Sequence, residues 1–67
     1  MNMEDVGVLV RKRRSTLGID QRALAEISGI AVHTLSNIEA GKGNPTVDTL
    51  NRLLDALGLE LHIQLKP

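Results

Sequence analysis

Apolar residues recur at helical intervals through most of this chain and switch, at its end, to strict alternation. Val6, Leu9, Val10, Arg13 and Leu17 fall near one face of a helix predicted over Met3 to Leu17 and stopped by Gly18. Its last turns hold Arg11, Lys12, Arg13 and Arg14, cations suited to the negative end of a helix dipole. Asp20 is a good N-cap for a second helix, Gln21 to Ser28, and a third is predicted over roughly Val32 to Ala40. Leu24 and Ile27 before Gly29, with Leu35 and Ile38 after it, give these two helices a shared core. Ala25 keeps them close where they cross, and Gly29 admits the left-handed conformation that ends one helix and turns the chain sharply. Gly41-Lys42-Gly43-Asn44-Pro45 reads as a loop. Thr46 then caps a fourth helix, Val47 to Leu57, with Val47, Leu50, Leu53, Leu54 and Leu57 as its apolar stripe and Gly58 at its end.

Residues 21–40 therefore have the form of a helix-turn-helix, in which the second helix enters the major groove of DNA and its N-terminal residues meet base edges. Val32, His33, Thr34, Ser36 and Asn37 lie around the polar side of that helix. Any αα-hairpin can carry a glycine between apolar runs, so this pattern alone leaves DNA binding and simple helix packing equally open.

The end of the chain has another period. Leu59-Glu60-Leu61-His62-Ile63-Gln64-Leu65 alternates apolar and polar residues, the pattern of a half-buried strand. A lone strand in a helical chain leaves an unpaired edge, which proteins avoid. Pairing with the same strand of a second copy answers this, and predicts a homodimer with a two-stranded antiparallel ribbon over residues 59–65. In it Leu59, Leu61, Ile63 and Leu65 face the helices. The alternative is a tail of the fourth helix packing back on its own core.

Sixty-seven residues make one domain, 1–67, and a chain this short buries only about 60% of its unfolded surface, so association is a natural remedy. The absence of cysteine excludes disulfides and thiolate metal sites, and the absence of Phe, Tyr and Trp removes base-stacking platforms for single strands or RNA. No apolar run reaches membrane-spanning length, and the charges of MNMEDVGVLVRKRR follow its apolar residues, the reverse of a secretory signal. A cytoplasmic location is expected. Eight basic and eight acidic residues balance, yet residues 1–10 carry −2, residues 11–42 carry +3 and residues 43–67 carry −1. The basic excess thus sits on the helix-turn-helix and the helix leading into it, where a local patch can meet phosphate.

Several stretches together resemble the Cro/CI-type (Xre family) helix-turn-helix regulators over Val6 to Leu65. They are Val-Arg-Lys-Arg-Arg (10–14), Gly-Ile-Asp-Gln (18–21), Leu-Ala-Glu-Ile-Ser-Gly-Ile (24–30), Leu-Ser-Asn-Ile-Glu-Ala-Gly-Lys (35–42) and Asn-Pro-Thr (44–46). The short length and the ending Leu-Leu-Asp-Ala-Leu-Gly-Leu-Glu-Leu (53–61) resemble the HipB-like antitoxins in particular. The resemblance implies a mainly α, lambda-repressor-like fold of four helices, with the C-terminal strand pairing across a homodimer. It also implies a repressor of its own operon, bound to a palindromic operator and partnered by a HipA-type kinase toxin.

Carried over residue by residue, the resemblance assigns Gln21, at the start of helix 2, to a phosphate. Val32, His33, Thr34 and Asn37 fall to base edges, with Ser36 a weaker candidate: Asn37 suits adenine N6 and N7, the methyls of Val32 and Thr34 suit a thymine methyl, and His33 suits guanine or phosphate. Lys42 matches a backbone-contacting loop position, and the amides near Asn44 and Thr46 match a second phosphate site. Arg14 and Glu39 occupy the positions of a structural ion pair. Ala31 and Val32 depart from the family's usual Ser or Thr followed by a polar residue, so helix 3 lacks a side-chain cap and its usual first base reader; the alternative for Val32 is a plain surface hydrophobe.

Enzymatic readings find little support. His33 and His62 lie in different elements with no cysteine to complete a metal site, and Gly41-Lys42-Gly43 lacks the strand and helix of a P-loop. Neither cofactor nor metal is expected. The competing readings are binding proteins: a restriction-modification controller, a phage-type repressor, or a protein-protein adaptor built on the same fold.

Overall fold

A computed structural model describes residues 2–67, which form α1 (Met3–Leu17), α2 (Gln21–Ser28), α3 (Val32–Glu39) and α4 (Val47–Ala56). Side chains at the helix starts explain most of these boundaries. Asn2 Oδ1 accepts from the Asp5 amide at 2.9 Å while Asp5 Oδ2 accepts from the Asn2 amide at 3.3 Å, a reciprocal cap that the sequence reading did not anticipate. Asp20 accepts from the Ala23 amide at 2.8 Å to start α2, and Thr46 accepts from the Thr49 amide at 3.1 Å to start α4. α3 begins at Ala31 with no side-chain cap. The expected ends of α3 and α4 move in by one residue, since Ala40 and Leu57 are the C-caps rather than the last helical residues.

The hydrophobic core is aliphatic. Val10, Leu24, Leu35, Ile38, Leu53 and Leu57 are fully buried, with Ala25 and Ile30 beside them. α1 packs chiefly on α3, and α2 packs on both α3 and α4. The first of these contacts depends on Gly7, because a Cβ there would lie 2.6 Å from the Ile38 carbonyl oxygen and 2.9 Å from that of Glu39. The backbones of α1 and α3 touch where any other residue would hold them apart.

Several predicted core positions are displaced by this arrangement. Ile27 is 63% exposed, because the buried face of α2 is set by Leu24, Ala25 and Ser28, and Ile30 takes the interior place just after the turn. Leu9 and Leu17 are exposed as well, since α1 covers α3 with the narrower line of Gly7 and Val10, flanked by half-buried Met3, Val6 and Arg14. Arg13 is half-buried, with its Nε donating to the Leu57 carbonyl at 2.8 Å, so it closes the end of α4. Val47, on the first turn of α4, is 63% exposed.

After α4 the Gly58 amide donates to the Asp55 carbonyl at 3.0 Å and the Leu59 amide to that of Leu54 at 2.8 Å, folding Leu59 back against the core. There the inward packing stops. No strand occurs among the described residues, and of the four residues expected to face the helices only Leu59 does so. Leu61 is 43% exposed, Ile63 95% and Leu65 96%. The physical reason is that a strand is held by a ladder to a neighbour, and one copy of the chain supplies none.

Candidate nucleic-acid interface

The turn between α2 and α3 is fixed from inside. Gly29 has φ 73°, and the following Ile30 amide donates to the Ala25 carbonyl at 3.0 Å while its side chain is buried. The Ser28 hydroxyl, also buried, donates to the Leu24 carbonyl at 2.7 Å, so this buried side-chain oxygen is paired. α3 leaves this turn with Leu35, Ile38 and Glu39 inward. Its other side faces out: Val32, His33 and Ser36 are exposed, and Thr34 and Asn37 are half-buried.

A shallow groove runs between α3 and the loop that follows it. His33, Thr34 and Asn37 line one side, and Lys42 and Asn44 the other. The turn after α3 holds these sides together, for the Lys42 amide donates to the Asn37 carbonyl at 2.9 Å. One cation and a set of small donors and acceptors thus share a continuous surface. Val32 and Ser36 lie on the same helix outside the groove. The Thr46 hydroxyl is engaged by the Thr49 amide and hydroxyl, which leaves capping as its role in this structure.

Gln21 begins α2 at the edge of a buried network. Arg14 Nε and Nη2 donate to the two carboxylate oxygens of Glu39 at 2.8 and 2.9 Å, and Arg14 Nη1 donates to the Ile19 carbonyl at 3.0 Å. Gln21 Nε2 also donates to Glu39, at 3.1 Å. A carboxylate at the C-terminal end of α3 faces the negative end of the helix dipole, and burial adds to that penalty; the two-pronged guanidinium offsets both. Hydrogen bonding to Glu39 raises the Arg14 pKa above its ordinary value; burial works against this, and the charges of Glu39 and Asp20 add to the rise. The Gln21 side chain is therefore occupied inside the protein. Its backbone amide, in the first turn of α2, remains among those without an intrahelical acceptor.

Two elements of this scaffold were not read from the sequence. A glycine within the apolar stretch Val6-Gly7-Val8-Leu9-Val10 was a usable signal, since a mid-helix glycine weakens a helix and implies close packing. The Gln21 to Glu39 bond had no local signal, being made across 18 positions. Among the described residues, no group of three or more His, Cys, Asp or Glu that could hold a metal ion lies together, and no helix is long and apolar enough to cross a membrane.

Residues 10–63 match the Helix-turn-helix family HTH_3. Over 63 residues the chain is 40% identical to the HTH-type transcriptional regulator PuuR of Escherichia coli (strain K12), a match covering 88% of this chain and 34% of PuuR. It is 42% identical over 50 residues to an uncharacterized HTH-type transcriptional regulator of Haemophilus influenzae, covering 75% of this chain and 51% of that protein. A third relative, an uncharacterized HTH-type transcriptional regulator of Methanothermobacter thermautotrophicus, is 38% identical over 56 residues, covering 84% of this chain and 80% of its own length. The chain thus spans about a third of PuuR and most of the archaeal protein.

Proposed function

The chain belongs to the helix-turn-helix family of transcriptional regulators, and on that premise we propose that it is a sequence-specific repressor binding double-stranded DNA as a homodimer. The observation that carries this reading is the groove of α3, where His33, Thr34 and Asn37 stand beside Lys42 and Asn44. α3 enters the major groove; His33, Thr34 and Asn37, with Val32 and Ser36 on the same helix, meet base edges. Lys42, the amides near Asn44 and Thr46, and the Gln21 amide at the start of α2 meet phosphates.

The tail supplies the two-fold axis. Leu61, Ile63 and Leu65 lie open along an alternating segment, and pairing 59–65 with a second copy covers them. Two reading helices then sit about 34 Å apart, so the operator is an inverted repeat with half-sites roughly one helical turn apart. The likeness of residues 53–61 to HipB-like antitoxins extends the proposal to autoregulation of an operon shared with a HipA-type kinase toxin. A kinase gene beside this one and copurification of its product test that extension separately.

The central test is selection from a random duplex library, followed by titration of the selected duplex against salt. An inverted-repeat motif whose affinity falls steeply with salt is expected, because several phosphate contacts release counterions. Absence of any selected motif, or binding flat in salt, overturns the repressor reading.

A further inference from the structure

We propose that His33 and Asn37 read DNA as one hydrogen-bonded unit whose base preference is set by the protonation of His33. The proposal rests on α3 being the reading helix. One turn apart on that helix, Asn37 Nδ2 lies 3.4 Å from His33 Nε2. Both residues line the groove, and Lys42 is the titratable group that shares it with His33, with no carboxylate among the lining side chains.

The chemistry of the two states differs in a definite way. In a neutral imidazole carrying its proton on Nδ1, Nε2 is an acceptor and takes one Asn37 N–H. The amide then presents its oxygen and its second N–H outward, the pair that matches adenine N6 and N7. Protonation makes Nε2 a donor and ends that bond. Rotation of the amide by half a turn gives its oxygen to His33 and turns its two N–H groups outward. Two donors match the O6 and N7 acceptors of guanine rather than the donor-acceptor edge of adenine.

His62 is the only other histidine and stands on the tail, 2.8 Å from Glu60 Oε2. It lies outside the groove, so a ratio of affinities for two bases isolates His33.

The test begins with the motif selected at about pH 8, the alkaline side of the range in which histidine side chains ordinarily change charge. The base pair contacted by Asn37 is the one at which Asn37→Ala loses discrimination. Duplexes carrying adenine or guanine at that position are then compared at about pH 8 and about pH 5.5. For the wild type the adenine-to-guanine affinity ratio is expected to fall about tenfold on acidification, the scale of one bidentate contact. In His33→Gln the ratio should be flat with pH, and in His62→Gln it should fall as in the wild type. A wild-type ratio independent of pH, or a pH-dependent ratio retained in His33→Gln, overturns the coupled unit while leaving DNA reading by α3 intact. Failure to select any motif overturns both. Both histidines are exposed, so the substitutions leave the core untouched.

Discussion

Leu24, Ile30, Leu35 and Ile38 of the helix-turn-helix are all buried, whereas Leu61, Ile63 and Leu65 of the tail are all exposed. Both stretches place aliphatic residues at regular intervals, one at the helical period and the other at the period of a strand. The helices satisfy their backbone internally and need only side-chain neighbours, which the same chain provides. A strand needs another backbone before its side chains have a surface to cover. The contrast shows that apolar pattern states a demand for burial and says nothing of whether the same molecule meets it.

The largest effect is expected from removing the guanidinium that pairs with Glu39. Arg14→Met leaves the Glu39 carboxylate buried at the end of α3, and unfolding by denaturant should show a loss of about 3 to 5 kcal/mol. A loss under ~1 kcal/mol would mean that the pair acts like a surface one. Because the Arg14 pKa is raised, its share of the stability is complete below the pKa of unfolded arginine and is lost only as pH rises through the still higher folded value. The wild-type advantage over Arg14→Met is therefore expected to survive throughout the neutral and moderately alkaline range.

Gly7→Ala comes next. Its added methyl meets the carbonyls of Ile38 and Glu39, so α1 must move away, with an expected loss of about 2 kcal/mol in the same measurement. Supplying the cap that α3 lacks should act in the other direction: Ala31→Asp is expected to raise stability by about 1 kcal/mol, visible as a higher thermal midpoint.

Substitutions at the exposed aliphatic residues should have small effects on the folded unit itself. Ile27→Lys should change stability by no more than about 0.5 kcal/mol, against the several expected of a core position. Leu61→Lys combined with Ile63→Lys should leave the helical signal of the dilute protein unchanged. In sedimentation, however, the wild type should run as a dimer and the variant as a monomer, and only the wild-type melting temperature should rise with concentration. A variant that stays dimeric would move the interface away from the tail.

The helices were legible because their signals are local. Asp20, Thr46, Gly18, Gly29 and Gly58 mark ends through bonds to residues three to five positions away. Asn2 carries the same kind of signal, through its bond to the Asp5 amide. Which face of each helix turns inward was less legible, as Ile27, Leu9 and Leu17 show, because that depends on how helices cross. In the candidate interface, His33, Thr34 and Asn37 share a helix face by spacing alone, but the position of Lys42 against them follows from the turn after α3. The tie between Gln21 and Glu39 belongs to the assembled fold and to no segment of it.

Gly7 has a consequence for change over generations or at the bench. α1 meets α3 through close backbone approach, and Leu35, Ile38 and Glu39 are the buried residues of α3, while Val32, His33 and Ser36 are exposed on its other side. One eight-residue helix keeps its anchorage and its vocabulary on separate sides. If α3 reads DNA as proposed, its address can be rewritten by substitutions on the outward side, with little effect on the packing of the inward one.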